Sequence, residues 1–463
     1  MINRSGDGHA ISRNPATGAV IAQYPFDSEV EVEAALARSE RAAREWRVAP
    51  VARRARILEQ IGQVLRDRKG EMAAMIADEM GKPITQARAE IDKCASLCDW
   101  YATHGPAFLE PAPTMVENNR ARQEFRPLGS ILAVMPWNFP VWQVLRGAAG
   151  MFLAGNAYVL KHAPNVMGSA YLLRDVLAQT ELPGGAFELV NIPPERVASV
   201  IADRRIAAIA VTGSVRAGAA IARLAGESVK KCVLELGGSD PFIVLADADL
   251  EQATRSAVAG RFQNAGQVCL AAKRIIVEEP IAAEFEARFV AAVRALRVGS
   301  PLDEHTYIGP MARYDLRDEL HEQVQRSIEE GARLVHGGHK LDGAGNYYAP
   351  TVLADVRPGM TAFREELFGP VAALIVARNA QHAVELANDS EYGLGGTVWT
   401  RNIEQANAMA AQLDTGAVFI NGDVASDPRV TVGGVKKSGY GRELSCYGLH
   451  EFCNIQTVWL DRR

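Results

Sequence analysis

From Ser130 onward, short and continuously apolar runs alternate with longer stretches whose apolar residues recur at helical spacing. The runs at 131–135, 157–160, 187–191, 207–211 and 229–235 read as buried strands, with helices at 165–179 and 214–225 between them. A second set follows Asp240, with strands at 241–245, 274–277, 334–336, 373–376 and 418–421 and helices at 250–263, 281–296 and 316–330. Such alternation predicts a parallel sheet with helices on both faces, so the chain reads as two doubly wound α/β domains. The change from one set to the other falls near Gly237-Gly238, and a cleft between domains is where a ligand site is expected.

The first 110 residues carry a different pattern. Asn14-Pro-Ala-Thr-Gly18 is a turn between two short extended runs. A helix starts at Ser28, where Glu31 completes a capping box. A second helix runs from Pro50 to about Lys69, and a third follows Pro83 with Ile91, Leu97 and Trp100 on its apolar side. Arg53, Arg54 and Arg56 read as a solvated helix face. The polar stretch 114–126 reads as a loop or an exposed hairpin.

Composition narrows the classes. A chain of 463 residues suggests two or three domains, and 48% hydrophobic with 23% charged residues is ordinary for globular proteins. A net charge of −5 argues against a nucleic-acid surface. No apolar run approaches a membrane span, and the N-terminus lacks the apolar core of a signal peptide. Six irregularly spaced cysteines make a disulfide framework unexpected and point to a reducing cytoplasm. Cys94 and Cys98, one helical turn apart with no second pair or nearby histidines, read as core packing, and no metal site is expected.

Two stretches suggest chemistry. Phe262-Gln-Asn-Ala-Gly-Gln-Val-Cys269 places one cysteine in a small-residue turn, where a substrate carbon could approach the sulfur. Leu234-Glu235-Leu-Gly-Gly238 offers a carboxylate as general base. Either alone reads better as a buried cysteine or a strand-end glutamate. Thr212-Gly-Ser-Val-Arg-Ala-Gly218 follows a strand and opens a helix, which suits a phosphate, although its spacing is not that of the dinucleotide fingerprint.

Together with Pro136-Trp-Asn-Phe-Pro140 and Glu365-Glu-Leu-Phe-Gly-Pro370, these stretches resemble the aldehyde dehydrogenase superfamily in motif order over nearly the whole chain. Lys161-His-Ala-Pro-Asn-Val-Met-Gly168, Gly434-Val-Lys-Lys-Ser-Gly439 and His450-Glu-Phe-Cys-Asn-Ile-Gln-Thr-Val-Trp459 resemble the short bacterial succinate-semialdehyde dehydrogenases within it. The resemblance implies a cofactor-binding domain over 1–112 and 127–236, a catalytic domain over 237–436, and a β-strand oligomerisation arm from 113–126 and 437–463. A homodimer or homotetramer is then expected. It implies Cys269 as nucleophile, Asn138 with the Cys269 N–H as oxyanion donors, and Glu235 as the base that activates water. It also implies Trp137, Lys161, Gly213, Ser214, Gly218, Glu366 and Phe368 around the cofactor, and Arg146 with Arg429 as candidates for a substrate carboxylate.

The chain departs from the commonest pattern at three places. Pro164 stands where many NAD-using relatives carry a ribose-binding glutamate; this removes a repulsion against a 2′-phosphate, while Lys161 and His162 could attract one, so NAD or NADP is expected. Gln263 replaces a second substrate arginine, and Ala271 replaces a second cysteine, so a local disulfide switch is not expected. The implied reaction is oxidation of succinate semialdehyde to succinate through a thiohemiacetal and a thioester. Alternatives are a broader aldehyde dehydrogenase for aliphatic or acidic semialdehydes, a coenzyme-A-acylating relative (disfavoured by Glu235), a hydrolase using Cys269, and an inactive cofactor-binding protein.

Overall fold

The computed structural model describes residues 8–461. Two mainly parallel sheets organise it. The six-stranded sheet runs Gly439–Tyr440, Lys231–Glu235, Ile206–Thr212, Ser130–Val134, Ala157–Lys161, Phe187–Leu189, all parallel except the antiparallel Gly439–Tyr440 edge. The seven-stranded sheet runs Arg333–His336, Thr351–Ala354, Val371–Ala377, Ala272–Glu278, Asp240–Val244, Gly395–Trp399, Ala417–Ile420, with only the Arg333–His336 edge antiparallel. Their central strands are buried on both faces, which is why they read as unbroken apolar runs.

The helical N-terminal region packs on the six-stranded sheet through one large core that includes Trp46, Ile61, Leu97, Phe152 and Tyr158. Ser28 and Glu31 form the expected capping box. Cys94 and Cys98 are fully buried in this core. Arg53 and Arg56 are exposed, but Arg54 is buried and donates to the Trp46 carbonyl at 3.4 Å. It belongs to the packing of the helix against Gly155, not to a solvated face.

Several elements escaped the sequence pattern. The strand Gly395–Trp399 begins with two glycines, which are poor strand formers. A Cβ on Gly395 would come within 2.7 Å of the Asp240 carboxylate, so close strand approach explains the residue. The helix Trp142–Ala154 is buried along its whole length and therefore shows no polar face to mark its period.

Strand Ala121–Pro127 pairs with Cys453–Trp459 on one side and with Ala112–Pro113 on the other, in a separate antiparallel sheet. The span 437–463, expected as one oligomerisation segment, is divided. Gly439–Tyr440 edges the six-stranded sheet, and helix Ser445–Glu451 buries Leu449 in the core beside Trp142–Ala154. Among the described residues, no helix is long and apolar enough to cross a membrane, and no group of three or more His, Cys, Asp or Glu is placed to hold a metal.

Candidate active site

Strand Lys231–Glu235 ends at the Gly237-Gly238 step between the sheets, and the loop after helix Leu250–Phe262 comes back to the same place. Asn264, Ala265 and Gly266 are consecutive left-handed residues with φ of 56°, 52° and 71°. That conformation costs of order 1 kcal/mol or more per non-glycine residue and needs outside support. Asn264 supplies part of it, donating from Nδ2 to the carbonyls of Asn138 (2.9 Å) and Gln267 (3.2 Å), while its own N–H donates to Gln86 Oε1 at 2.8 Å. Fully buried Arg261 donates to the carbonyls of Val371 (2.6 Å), Leu367 (2.7 Å), Gly266 (3.2 Å) and Gly369. It thereby fixes the Glu365–Pro370 loop against the Asn264–Gly266 turn. Gly266 must be glycine there, because any Cβ would collide with the Gly369 carbonyl.

Cys269 follows, half-buried and free. Burial pushes its thiol up, and nearby Glu235 and Glu366 add to this; Arg146 and Lys273 oppose it. Lys273, four residues on, is committed three ways, donating from Nζ to the carbonyls of Gly238 and Cys269, both at 2.7 Å, and to Glu366 Oε1 at 2.8 Å. Sequence reasoning missed this lysine, since two of its three partners, Gly238 and Glu366, lie 35 and 93 residues away.

Asn138 is buried, with Nδ2 donating to the Gln267 carbonyl at 3.1 Å and Oδ1 without a partner. Its turn is held from below. Glu90 accepts from the N–H groups of Val141 (2.9 Å) and Trp142 (3.0 Å), and fully buried Lys82 pairs with Glu90 while sitting 3.6 Å from the Phe139 ring centroid. His162 also serves this turn: Nε2 lies 2.8 Å from the Pro140 carbonyl and Nδ1 accepts from the Ala163 N–H at 2.8 Å. Burial presses its pKa down to about 4, so the ring is neutral at physiological pH. The expectation that His162 could attract a 2′-phosphate is therefore corrected.

Glu235 is buried, and its Oε1 has no hydrogen-bond partner. Gly433 leaves room for it, since a Cβ there would lie 3.0 Å from Oε1. Burial pushes Glu235 well above the usual carboxylate range; Arg146 pulls it down and Glu443 pushes it further up. Sequence reasoning also missed Glu443, which lies in the loop after Gly439–Tyr440 and pairs with Arg146.

That pair corrects the reading of Arg146 as an arginine open to the substrate. Both side chains are almost fully buried, and Arg146 Nη2 also reaches Thr212 Oγ1 at 3.4 Å. Arg429 is committed as well, to Asp427 at 2.7 and 2.8 Å, with its side chain 74% exposed. Gln263 is exposed at the end of its helix, and Ala271 is buried.

The cofactor candidates divide. Ser214 caps the helix Val215–Glu227, its Oγ accepting from the Ala217 N–H at 3.3 Å, and Gly213 has open space where a Cβ would stand. Gly218 faces inward, where a Cβ would strike Leu236, so it serves helix packing rather than a phosphate. Lys161 ends its strand buried, with no ion pair among the described residues, and burial lowers its pKa to about 8. Trp137 stands edge-on to Phe368, centroids 5.8 Å apart, and Glu366 lies against Gly237 and accepts from the Gly238 N–H at 3.2 Å. A helix N-terminus, an unpaired cation and a carboxylate beside two glycines fit a nicotinamide dinucleotide.

The aldehyde dehydrogenase family model matches residues 2–458. The chain is 61% identical over 454 residues to a succinate semialdehyde dehydrogenase (NAD(P)+) of Escherichia coli, covering 98% of each. It is 45% identical over 450 residues to succinate-semialdehyde dehydrogenase (NADP+) 1 of Mycobacterium tuberculosis, covering 96% of this chain and 98% of that one. Among solved structures, succinic semialdehyde dehydrogenase from Streptococcus pyogenes in complex with NADP+ superposes with a TM-score of 0.96 at 35% identity, covering 98% of this chain and 100% of that chain.

Proposed function

The chain belongs to the aldehyde dehydrogenase family, and from that membership we propose that it oxidises succinate semialdehyde to succinate with NAD or NADP. The observation that carries the reading is the meeting of three groups at the cleft: the free Cys269 thiol, the Asn138 amide on the Cys269 loop, and the unpartnered Glu235 carboxylate. The identity to the bacterial succinate-semialdehyde dehydrogenases supplies the substrate.

The Cys269 thiolate attacks the aldehyde carbon, and the Asn138 amide with the Cys269 N–H holds the oxygen of the resulting thiohemiacetal. Each such donor is typically worth roughly 3–4 kcal/mol in the transition state. A nicotinamide coenzyme would supply the hydride acceptor when bound. Ser214, Gly213 and Lys161 would hold its dinucleotide, and Trp137, Glu366 and Phe368 would flank its nicotinamide end. Pro164 presents no carboxylate to the adenosine ribose, which leaves room for either coenzyme. Once the thioester has formed on Cys269, Glu235 takes a proton from water, whose oxygen attacks the acyl carbon and releases succinate and the thiolate. An elevated pKa suits a base that must take up a proton and later release it. A hydrolase would need no coenzyme, and a coenzyme-A-acylating enzyme would not need Glu235.

The enzyme works in the cytoplasm as a homo-oligomer. All six cysteines are free, and the arm sheet exposes Ile455 and Trp459 along its last strand. A steady-state panel tests the substrate: kcat/KM for succinate semialdehyde should exceed that for butanal by at least about tenfold with either coenzyme, with succinate and reduced coenzyme formed one to one. Comparable values for the two aldehydes, or product formed without coenzyme, would overturn the reading.

A further inference from the structure

Succinate semialdehyde differs from butanal by a carboxylate at the end remote from the reacting carbon. A site selecting the acid needs a cation whose charge is not already spent. Around the cleft most cations are spent: Arg146 on Glu443, Lys82 on Glu90, Lys273 on Glu366, and Arg429 on Asp427.

Arg261 and Arg442 donate to backbone carbonyls, Lys161 is assigned above to the dinucleotide, and Lys93 is left. It lies half-buried on the helix Ile84–Phe108, and among the described residues it has no ion pair or hydrogen bond. Its ammonium rests instead on the ring of Trp142, 4.0 Å from the centroid. Such a cation–π contact holds a charge in place without neutralising it. The position is tied to the reacting centre through two elements. Glu90, one turn before Lys93, caps the Val141 and Trp142 amides directly after the Asn138 turn. Arg146, one turn beyond Trp142, lies within electrostatic range of Lys93 on one side and of Cys269 and Glu235 on the other.

We propose that Lys93 receives the distal carboxylate of the substrate and sets the preference for an acidic semialdehyde, an inference that rests on the oxidation reading above. Trp142, itself buried, then fixes the position of the ammonium. Burial and nearby Arg146 press the pKa of Lys93 down to about 8, with Cys94, Glu90 and Asp427 acting the other way. The site therefore holds a cation in need of an anion, and the substrate carboxylate supplies one. Arg146 contributes only residual charge, because Glu443 shares its burial and its field.

The test compares two aldehydes in the same preparations of wild type, Lys93→Met, Lys93→Gln and Lys93→Arg. Neutral replacements should lower kcat/KM for succinate semialdehyde by about 10- to 100-fold, the range for losing a charge-assisted hydrogen bond. Butanal oxidation should stay within about threefold, and Lys93→Arg should retain most of the preference. Equal losses on both aldehydes in the neutral variants, or no loss on succinate semialdehyde, would overturn the assignment; if Lys93→Met does not fold, Lys93→Gln decides. A wild-type enzyme that does not favour succinate semialdehyde over butanal would instead refute the substrate reading itself, and this inference with it.

Discussion

The two sides of the cleft treat buried charge in opposite ways. On the side of the seven-stranded sheet, Lys273 is saturated: three acceptors within 2.8 Å take up its ammonium and fix the Cys269 loop, the Gly238 step and Glu366 as one unit. On the side of the six-stranded sheet, Glu235 is buried with an oxygen left bare, and the nearby Arg146–Glu443 pair acts on it through space. A group that only positions its neighbours gains from full hydrogen bonding. One that must exchange protons with a reacting water is better left unsatisfied until that water arrives.

The sharpest way to break this contrast is to remove what both sides serve. Cys269→Ala should abolish aldehyde oxidation, a loss of about 10⁴-fold or more in kcat, together with any ester hydrolysis. Stopped-flow traces should then show no reduced coenzyme.

Glu235→Gln should separate the two half-reactions. Acylation survives, giving a burst of about one reduced coenzyme per site, after which turnover stalls by roughly 10²–10⁴-fold. Wild-type turnover in this variant would remove Glu235 from the role of base, and the bare oxygen would need another explanation.

Lys273→Met should act on the saturated side, with a smaller effect. It strands two buried carbonyls and frees Glu366, so kcat/KM should fall by about 10- to 100-fold. Lys273 favours the Cys269 thiolate, and its loss should therefore move the pH midpoint of iodoacetamide alkylation upward. An unchanged midpoint would mean that Lys273 serves packing alone.

The smallest effects should come from the pair beside Glu235. Glu443 raises the pKa of Glu235, so Glu443→Gln should shift the acidic limb of kcat to lower pH. Arg146 lowers it, and Arg146→Met should shift the limb to higher pH. The change in kcat at the optimum should stay below about tenfold in both. Arg146→Met should in addition cost about 3–5 kcal/mol of stability, because Glu443 is left as an uncompensated buried charge. Parallel shifts in the two variants would contradict the through-space account.

What the sequence determined by itself was local or periodic. The apolar runs mark most strands of both sheets, and Ser28 with Glu31 marks the first helix. The order of motifs then singled out Cys269, Glu235 and Asn138. These features are legible because each depends on residues only a few positions apart. Charge pairing does not. Arg146 and Glu443 lie on elements nearly three hundred residues apart, Lys273 and Glu366 are separated by 93, and Lys93 is distinguished only by the partner it lacks. An arginine at a suggestive offset looks the same in sequence whether its charge is free or spent. Only the tertiary structure decides, because the worth of a charge depends on what lies within a few ångströms and on how much water remains.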